Sequence, residues 1–383
     1  MIFDDQINIK FQKEHTVNFL QEIENIEDHR TEINKEYELA DIIFLTITAV
    51  LCGAKGWKSI QIFGEAQIDW LRQYRDFSNG IPTRHSIGRI IRGIKAESLV
   101  SSFINFSNSL RDKESKEHIA FDGKVVRGSK HGDNTNALQL MTAMIVENGL
   151  VIYQKETDKK TNEIPIMQSM LSSMDVEGAV ITADAMHCQT ETAKVIRENN
   201  ADYSLQVKEN QSGLLKEIKA YFHKVRRDNP VLLESNSFTE VDGEHGRISE
   251  RSYRLLPITD WFDKTVKWQD SFAVIEVERT RTFKNKVENE TSYYITSLKD
   301  SVETVAGYIR RHWCIENSQH WVLDVTFKED ECKIYAEDGA RNIASIRRLL
   351  LNLVKAHPLK DSVKGKMERA SWDGKFRAEI LFG

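Results

Sequence analysis

The chain has 383 residues, 40% hydrophobic and 29% charged, with 5 prolines and a formal charge of −5. That composition predicts a soluble, folded protein of two or three domains, and it excludes a low-complexity chain or a uniformly basic nucleic-acid binder. The charge is uneven, however. Arg341 to Arg377 holds ten Lys/Arg against three Asp/Glu, and Arg84 to Lys130 holds ten against five. Basic blocks on an acidic chain imply a localised anion-binding surface. Cys52, Cys188, Cys314 and Cys332 form no CxxC pair and follow no secretory leader, which points to a reduced, cytoplasmic compartment and away from a disulfide framework.

Residues 10–110 read as helical: Glu38 to Cys52, Ile60 to Arg75 and, after the Asn79-Gly80 turn, a helix opening at Pro82-Thr83 and running through Ile94. The most apolar run, Ile42 to Ala54, is too short to cross a bilayer and is flanked by Asp41 and Lys55, so it reads as a buried helix with no membrane role. In PTRHSIGRIIRGIK the apolar Ile87, Ile90, Ile91 and Ile94 keep helical spacing, and Arg84, His85, Arg89 and Arg92 fill the remainder. The pattern resembles the second helix of a helix-turn-helix, with Arg84 and Arg89 as DNA contacts. A basic surface helix is the competing reading.

From His118 the period changes. IAFDGKVV, ALQLMTAMIV and LVIYQKE are three apolar runs with short turns, an antiparallel meander. A helix from about Ile164 to Met174, the strand AVITAD, a helix from Gln189 to Asn199 and the strand DYSLQVK follow. This β-β-β-α-β-α-β order predicts a mixed α/β, ribonuclease-H-like (retroviral-integrase-like) core, in which the first and fourth strands are neighbours. Four divisions follow: a helical amino-terminal domain for DNA binding or dimerisation (1–112), the core (113–210 and 300–356), a β-rich insertion (211–299) and a basic tail (357–383).

Asp122 interrupts the apolar run of the first strand, and an unpaired buried carboxylate demands a cation. Asp184 closes the fourth strand, where an Asp is also an ordinary turn or cap residue. Glu316 lies in DSVETVAGYIRRHWCIENSQHWVLDVTFKED, read as one helix capped by Asp300 and Glu303. His312, Glu316, His320 and Asp324 then share a face at four-residue spacing, which suits a solvated stripe, a zinc site or a catalytic carboxylate. Were Asp122 and Asp184 adjacent, their repulsion would call for a divalent ion, and oxygen-only ligands favour Mg²⁺ or Mn²⁺ over zinc.

The segments DHRTEINKEYELADIIFLTITAVLCGA, IAFDGKVVRGS, VITADAMHCQ, YSLQVKENQ, EHGRISER and RHWCIENSQHWVLDVTFKEDE resemble, in order, the H-repeat-associated insertion-sequence transposases of the DDE type. The resemblance implies that Asp122, Asp184 and Glu316 form a catalytic, metal-binding triad for two Mg²⁺ or Mn²⁺ ions. It implies binding to terminal inverted repeats, strand cleavage by water, joining of the 3′-hydroxyl to target DNA, and a homodimer holding both ends. Where broader transposases of this kind carry Tyr, Arg and Lys around the catalytic Glu, this chain has Ile309, His312 and Leu323, with Tyr308 and Arg311 one position earlier. Candidate DNA contacts are therefore Arg84, Arg89, Arg127, Lys208, His245, Arg247, Arg311, His312 and His320, with Trp313 and Trp321 for stacking. The rival functions are a nuclease of the same fold that does not join strands, and a domesticated DNA-binding regulator.

Overall fold

The computed structural model describes residues 19–111, 116–129, 137–157, 163–244, 247–260, 262, 267–283, 286–336 and 338–383. Helix α1 (Leu39–Leu51) carries the apolar run, and twelve of its thirteen residues are buried. Its only core hydroxyls donate within the helix, Thr46 to the Ile42 carbonyl at 2.7 Å and Thr48 to that of Phe44 at 2.8 Å, so they cost little where water is absent. Around α1 pack α2 (Trp57–Ala66), α3 (Arg84–Arg92) and α4 (Ala96–Ser109). Emptying the centre of this layer, for instance with Phe44→Ala, is expected to cost about 3–5 kcal/mol. Residues 67–83 separate α2 from α3, far more than the turn of about three or four residues in a helix-turn-helix.

The sheet begins with the predicted meander of β1 (His118–Val126), β2 (Leu138–Ile145) and β3 (Leu150–Glu156). Helix α5 (Glu163–Ser173) leads into β4 (Val180–Ala183), and α6 (Thr190–Glu198) into β5 (Asp202–Val207). β1 and β4 are parallel neighbours, as are β4 and β5. The alternation of helices and strands thus yields the ribonuclease-H-like order expected. Helices α7 (Ser212–Asp228) and α8 (Pro230–Ser235) precede β6 (Ser237–Glu244), β7 (Arg247–Pro257), β8 (Ala273–Phe283) and β9 (Lys286–Thr296). The β-rich insertion extends the core sheet: β9 pairs antiparallel with β5, giving the order β3-β2-β1-β4-β5-β9-β8-β7-β6. Pairing with β5 ends at Tyr293. Lys286–Ser292 therefore project past the carboxyl end of β5, about 24 Å at ~3.4 Å per residue.

Helix α9 (Val302–Arg311) lies over the extended sheet, its Val305, Ala306 and Ile309 packed with Tyr253, Leu255 and Ile275. A π-turn (Glu316–His320), α10 (Trp321–Val325) and α11 (Gly339–Ala356) follow. The expected tail is instead two helices, α12 (Val363–Trp372) and α13 (Gly374–Phe382), whose Met367, Phe376, Leu381 and Phe382 complete the core around α1. The basic block of 341–377 is correspondingly not one surface. Arg347, Arg348, Lys366 and Arg377 are all buried, because their stems fill the core while their charged heads find carbonyls or Glu329.

Candidate active site

Phe121 of β1 pairs with Ala183 of β4, and the next residue on each parallel strand is an aspartate, Asp122 and Asp184. At a strand spacing of about 4.8 Å the two carboxylates arise side by side at one sheet edge. Asp122 still faces Thr142 of β2, whereas Asp184 has left its strand for the turn Ala185–His187. This explains their exposures, 19% for the Asp122 side chain and 53% for Asp184.

Helix α9 is capped by Ser301, whose Oγ accepts from the Thr304 amide at 3.3 Å, so the expected Asp300 cap is displaced by one residue. The expected single helix is also broken. After Arg311 the chain passes into the π-turn, where the Trp321 amide reaches the Glu316 carbonyl five residues back. A π-turn inserts one residue into the helical repeat and recurs at functional sites. The polar stripe is divided among separate partners as a result. His312 Nε2 stands 3.7 Å from Asp184 Oδ1, His320 Nδ1 3.3 Å from Asp122 Oδ2, and Asp324 takes the Lys124 ammonium at 2.6 Å.

Sequence reasoning missed the groups behind these histidines. Buried His118 bonds the Thr182 hydroxyl at 2.8 Å, and that hydroxyl bonds His312 Nδ1 at 3.0 Å, a chain that orients the ring toward Asp184. The carboxylate of Glu163, at the start of α5, lies where a Cβ on Gly123 would come within 2.9 Å of it, so glycine beside Asp122 admits a fourth acid. No sequence signal marked Glu163; the alternation of β1 contained His118 without distinguishing it from core.

Burial pushes the Asp122 carboxyl up to about 7, and the charges of Asp184, Glu316 and Glu163 add to the rise. The contact with His312 holds Asp184 below the ordinary carboxylate range despite its partial burial. Burial, with the charges of Arg348 and Lys124, takes His320 down to about 3; the ring is neutral and offers Asp122 no counter-charge. Two carboxylates about 5 Å apart repel by about 3 kcal/mol at an effective dielectric of 20. Among the described residues no three His, Cys, Asp or Glu side chains converge as a closed metal cage. The donor set nevertheless fits a hard divalent cation: Asp122 and Asp184 carry charge that no Lys or Arg among the described residues neutralises by contact, and Glu316 is exposed nearby.

The remaining candidates scatter. Lys208 follows β5 and is exposed, near enough for its charge to lower Asp184 further. Arg311 is half-exposed and bound to Glu147 at 3.1 Å, and Trp313 and Trp321 are exposed on either side of Glu316 rather than in the core. Arg127 is exposed, with its amide on Asp330 at 2.9 Å. Arg84 and Arg89 are exposed on α3 of the helical layer. His245 lies outside the described residues, and Arg247 opens β7. Glu329 is wholly buried against Arg348 at 2.9 Å.

Fold and site together define a ribonuclease-H-like protein with a carboxylate edge on its first and fourth strands. A family model described as DDE_Tnp_1-associated matches residues 20–107, and the transposase DDE domain matches 113–353. The H repeat-associated protein YhhI of Escherichia coli (strain K12) is 34% identical over 375 residues, 95% of this chain and 97% of that protein. YbfD, also H repeat-associated and from the same strain, is 36% identical over 242 residues, 63% of this chain and 94% of its own. The chain belongs to the DDE transposase family. Among solved structures, the piggyBac transposase synaptic complex with hairpin DNA aligns at a TM-score of 0.45 and 11% identity, covering 97% of this chain and 77% of that one; so distant a likeness carries no further weight. No described helix is long and apolar enough to cross a membrane.

Proposed function

We propose that this transposase binds the terminal inverted repeats of its own element, hydrolyses a phosphodiester at each end and joins the freed 3′-hydroxyl to target DNA, working as a homodimer on both ends. The observation that carries the reading is the pair Asp122 and Asp184, adjacent in parallel register at a sheet edge and in contact with no Lys or Arg among the described residues. In this reading Asp122, Asp184 and Glu316 hold one or two Mg²⁺ or Mn²⁺ ions. Bound there, the metal would activate a water or 3′-hydroxyl and stabilise the leaving oxygen. His312, oriented through Thr182 and His118, steadies the Asp184 carboxylate. Neutral His320 positions Asp122 without competing for its charge. Trp313 and Trp321 offer exposed rings for bases near the scissile bond.

The test uses the full-length protein with DNA carrying the repeat ends, identified as short inverted sequences bordered by a direct duplication around the gene. Cleavage with Mg²⁺ or Mn²⁺, followed by covalent joining of pre-cut ends to a plasmid, is expected. Cutting without joined product would reduce the activity to a nuclease. Neither cutting nor joining, with specific binding retained, would leave a DNA-binding regulator.

A further inference from the structure

Many cations among the described residues are already paired. On the insertion, Arg251 is held by Asp242 at 2.7 Å, Arg254 by Glu278 at 2.7 Å and Arg279 by Glu290 at 3.5 Å. In the cavity of about 290 Å³ between α4 and β3, Arg341 contacts both Glu156 and Asp338. One groove gathers cations that are not. It has a volume of about 800 Å³ and runs between α2 and α3 to the segment after the Glu316 helix; Lys58, Arg84, His85, Arg92 and Lys333 line it, and no carboxylate does.

The groove is built to keep those charges unpaired. Its wall is Trp57, which lies so close to α3 that a Cβ on Gly88 would come within 3.1 Å of the indole. Arg92 spends its Nε on the Gly88 carbonyl at 2.9 Å, and its terminal nitrogens have no hydrogen bond among the described residues. Arg84 turns its Nε to His85 at 3.2 Å, while its amide takes the Gln61 side chain at 2.7 Å. None of Lys58, Arg84, Arg92 and Lys333 has a carboxylate within ion-pair range among the described residues; the nearby Glu331 lies 3.8 Å from Lys55 instead. Lys333 is exposed, yet its neighbours Cys332 and Ile334 are anchored in the same core as α1 and α3. The groove is therefore a rigid joint feature of the amino-terminal helices and of the chain leaving Glu316.

We propose that this groove holds the phosphate backbone of duplex DNA, fixing the substrate on the helical layer at a site separate from the carboxylate edge. Four or five unneutralised cations along an open channel match a regular row of phosphates, and each contact formed releases condensed counterions. The proposal rests on the transposase reading only in taking DNA as the substrate.

The experiment measures binding of the full chain to a fluorescein-labelled 30-base-pair duplex by anisotropy over a KCl series, in EDTA so that no cleavage intervenes. The triple variant Lys58→Gln/Arg84→Gln/Lys333→Gln changes only exposed side chains, and Lys360→Gln/Lys364→Gln/Lys375→Gln, also exposed, changes net charge equally elsewhere. The groove triple is expected to lose about tenfold or more in affinity and to reduce the slope of log K against log salt by about 2–3, near one per phosphate contact removed. The control triple should stay within about twofold of wild type on the same scale. Wild-type-like binding by the groove triple, an equal loss in the control, no duplex binding by the wild type, or displacement of the duplex by an acidic peptide of equal affinity each overturns the proposal. Binding through the groove by a protein that neither cuts nor joins would sink the transposition reading and leave the groove standing. Cutting and joining by a groove triple with undiminished binding would do the reverse.

Discussion

Asp122 and Glu329 are both acids shielded from water, and their surroundings could hardly differ more. Glu329 is fully buried, with Arg348 at 2.9 Å and Arg347 at 3.9 Å; burial alone would raise its carboxyl, but the two guanidiniums outweigh it and hold the group below its usual range. Asp122 has a neutral histidine, two further aspartate and glutamate charges from the predicted triad, and Glu163. The first arrangement is complete within the chain and ties the segment after the Glu316 helix to α11. The second is incomplete among the described residues, which is the condition for binding something cationic. Buried charge in this molecule is thus structural where the protein neutralises it and a candidate for function where it does not.

The contrast can be broken most severely at the carboxylate edge. Asp122→Asn, Asp184→Asn and Glu316→Gln are each expected to lower DNA cleavage by about a thousandfold or more, on the scale of removing a group that acts in the transition state. Because the Asp122 carboxyl is raised, its ionised form costs stability above the ordinary aspartate range, and that cost is complete above about pH 7. Asp122→Asn should therefore unfold in urea at pH 8 no earlier than wild type; an earlier midpoint would show that Asp122 is structural after all.

Glu329→Gln reverses the pattern. It leaves two buried arginines without their partner and should destabilise the fold by about 3–5 kcal/mol in urea unfolding, with any loss of cleavage restored when the variant is assayed well below its melting temperature. The acid sensitivity of this knot has a definite sign. The folded pKa is depressed from 4.5, so the contribution of Glu329 is present above that value and is lost as pH falls through the folded one. A urea-midpoint series from about pH 6 to pH 3 should show the loss in wild type and a shallower one in Glu329→Gln.

Two smaller effects sharpen the comparison. Mg²⁺ at about ten times its dissociation constant should stabilise wild type by about 1.4 kcal/mol, and Asp122→Asn/Asp184→Asn not at all; equal stabilisation of both would place the ion elsewhere. Asp324→Asn, which removes the half-exposed partner of Lys124, should cost about 1 kcal/mol or less.

The legibility of this molecule in its sequence follows the range of the interactions. Helix α1 was plain from its apolar run, and the strand order from the alternation of types, because both are local patterns that the sheet and core merely assemble. Asp122 stood out since an acid inside an apolar strand is anomalous wherever it occurs. Asp184 looked like an ordinary turn residue until parallel pairing set it beside Asp122, and its proposed role came from family resemblance. Glu329 carries no local sign of burial, because its neutralising arginines lie about twenty residues on, in a block whose composition suggested a surface; the same composition disguised α12 and α13 as a tail. His118, Thr182 and Glu163 have no local signature, as each matters only through a partner on another element.

The π-turn at Glu316 makes this part of the chain sensitive to length as much as to chemistry. The five-residue turn already absorbs one extra residue, and a residue rotates an α-helix by about 100°, so a second residue inserted between Asn317 and His320 would swing Glu316 by about that angle relative to Trp321 and α10. Every existing side chain could keep its identity, and the buried anchors on either side could hold. A one-codon insertion here would be a silent-looking lesion, a folded protein whose Glu316 carboxylate is turned away from Asp122.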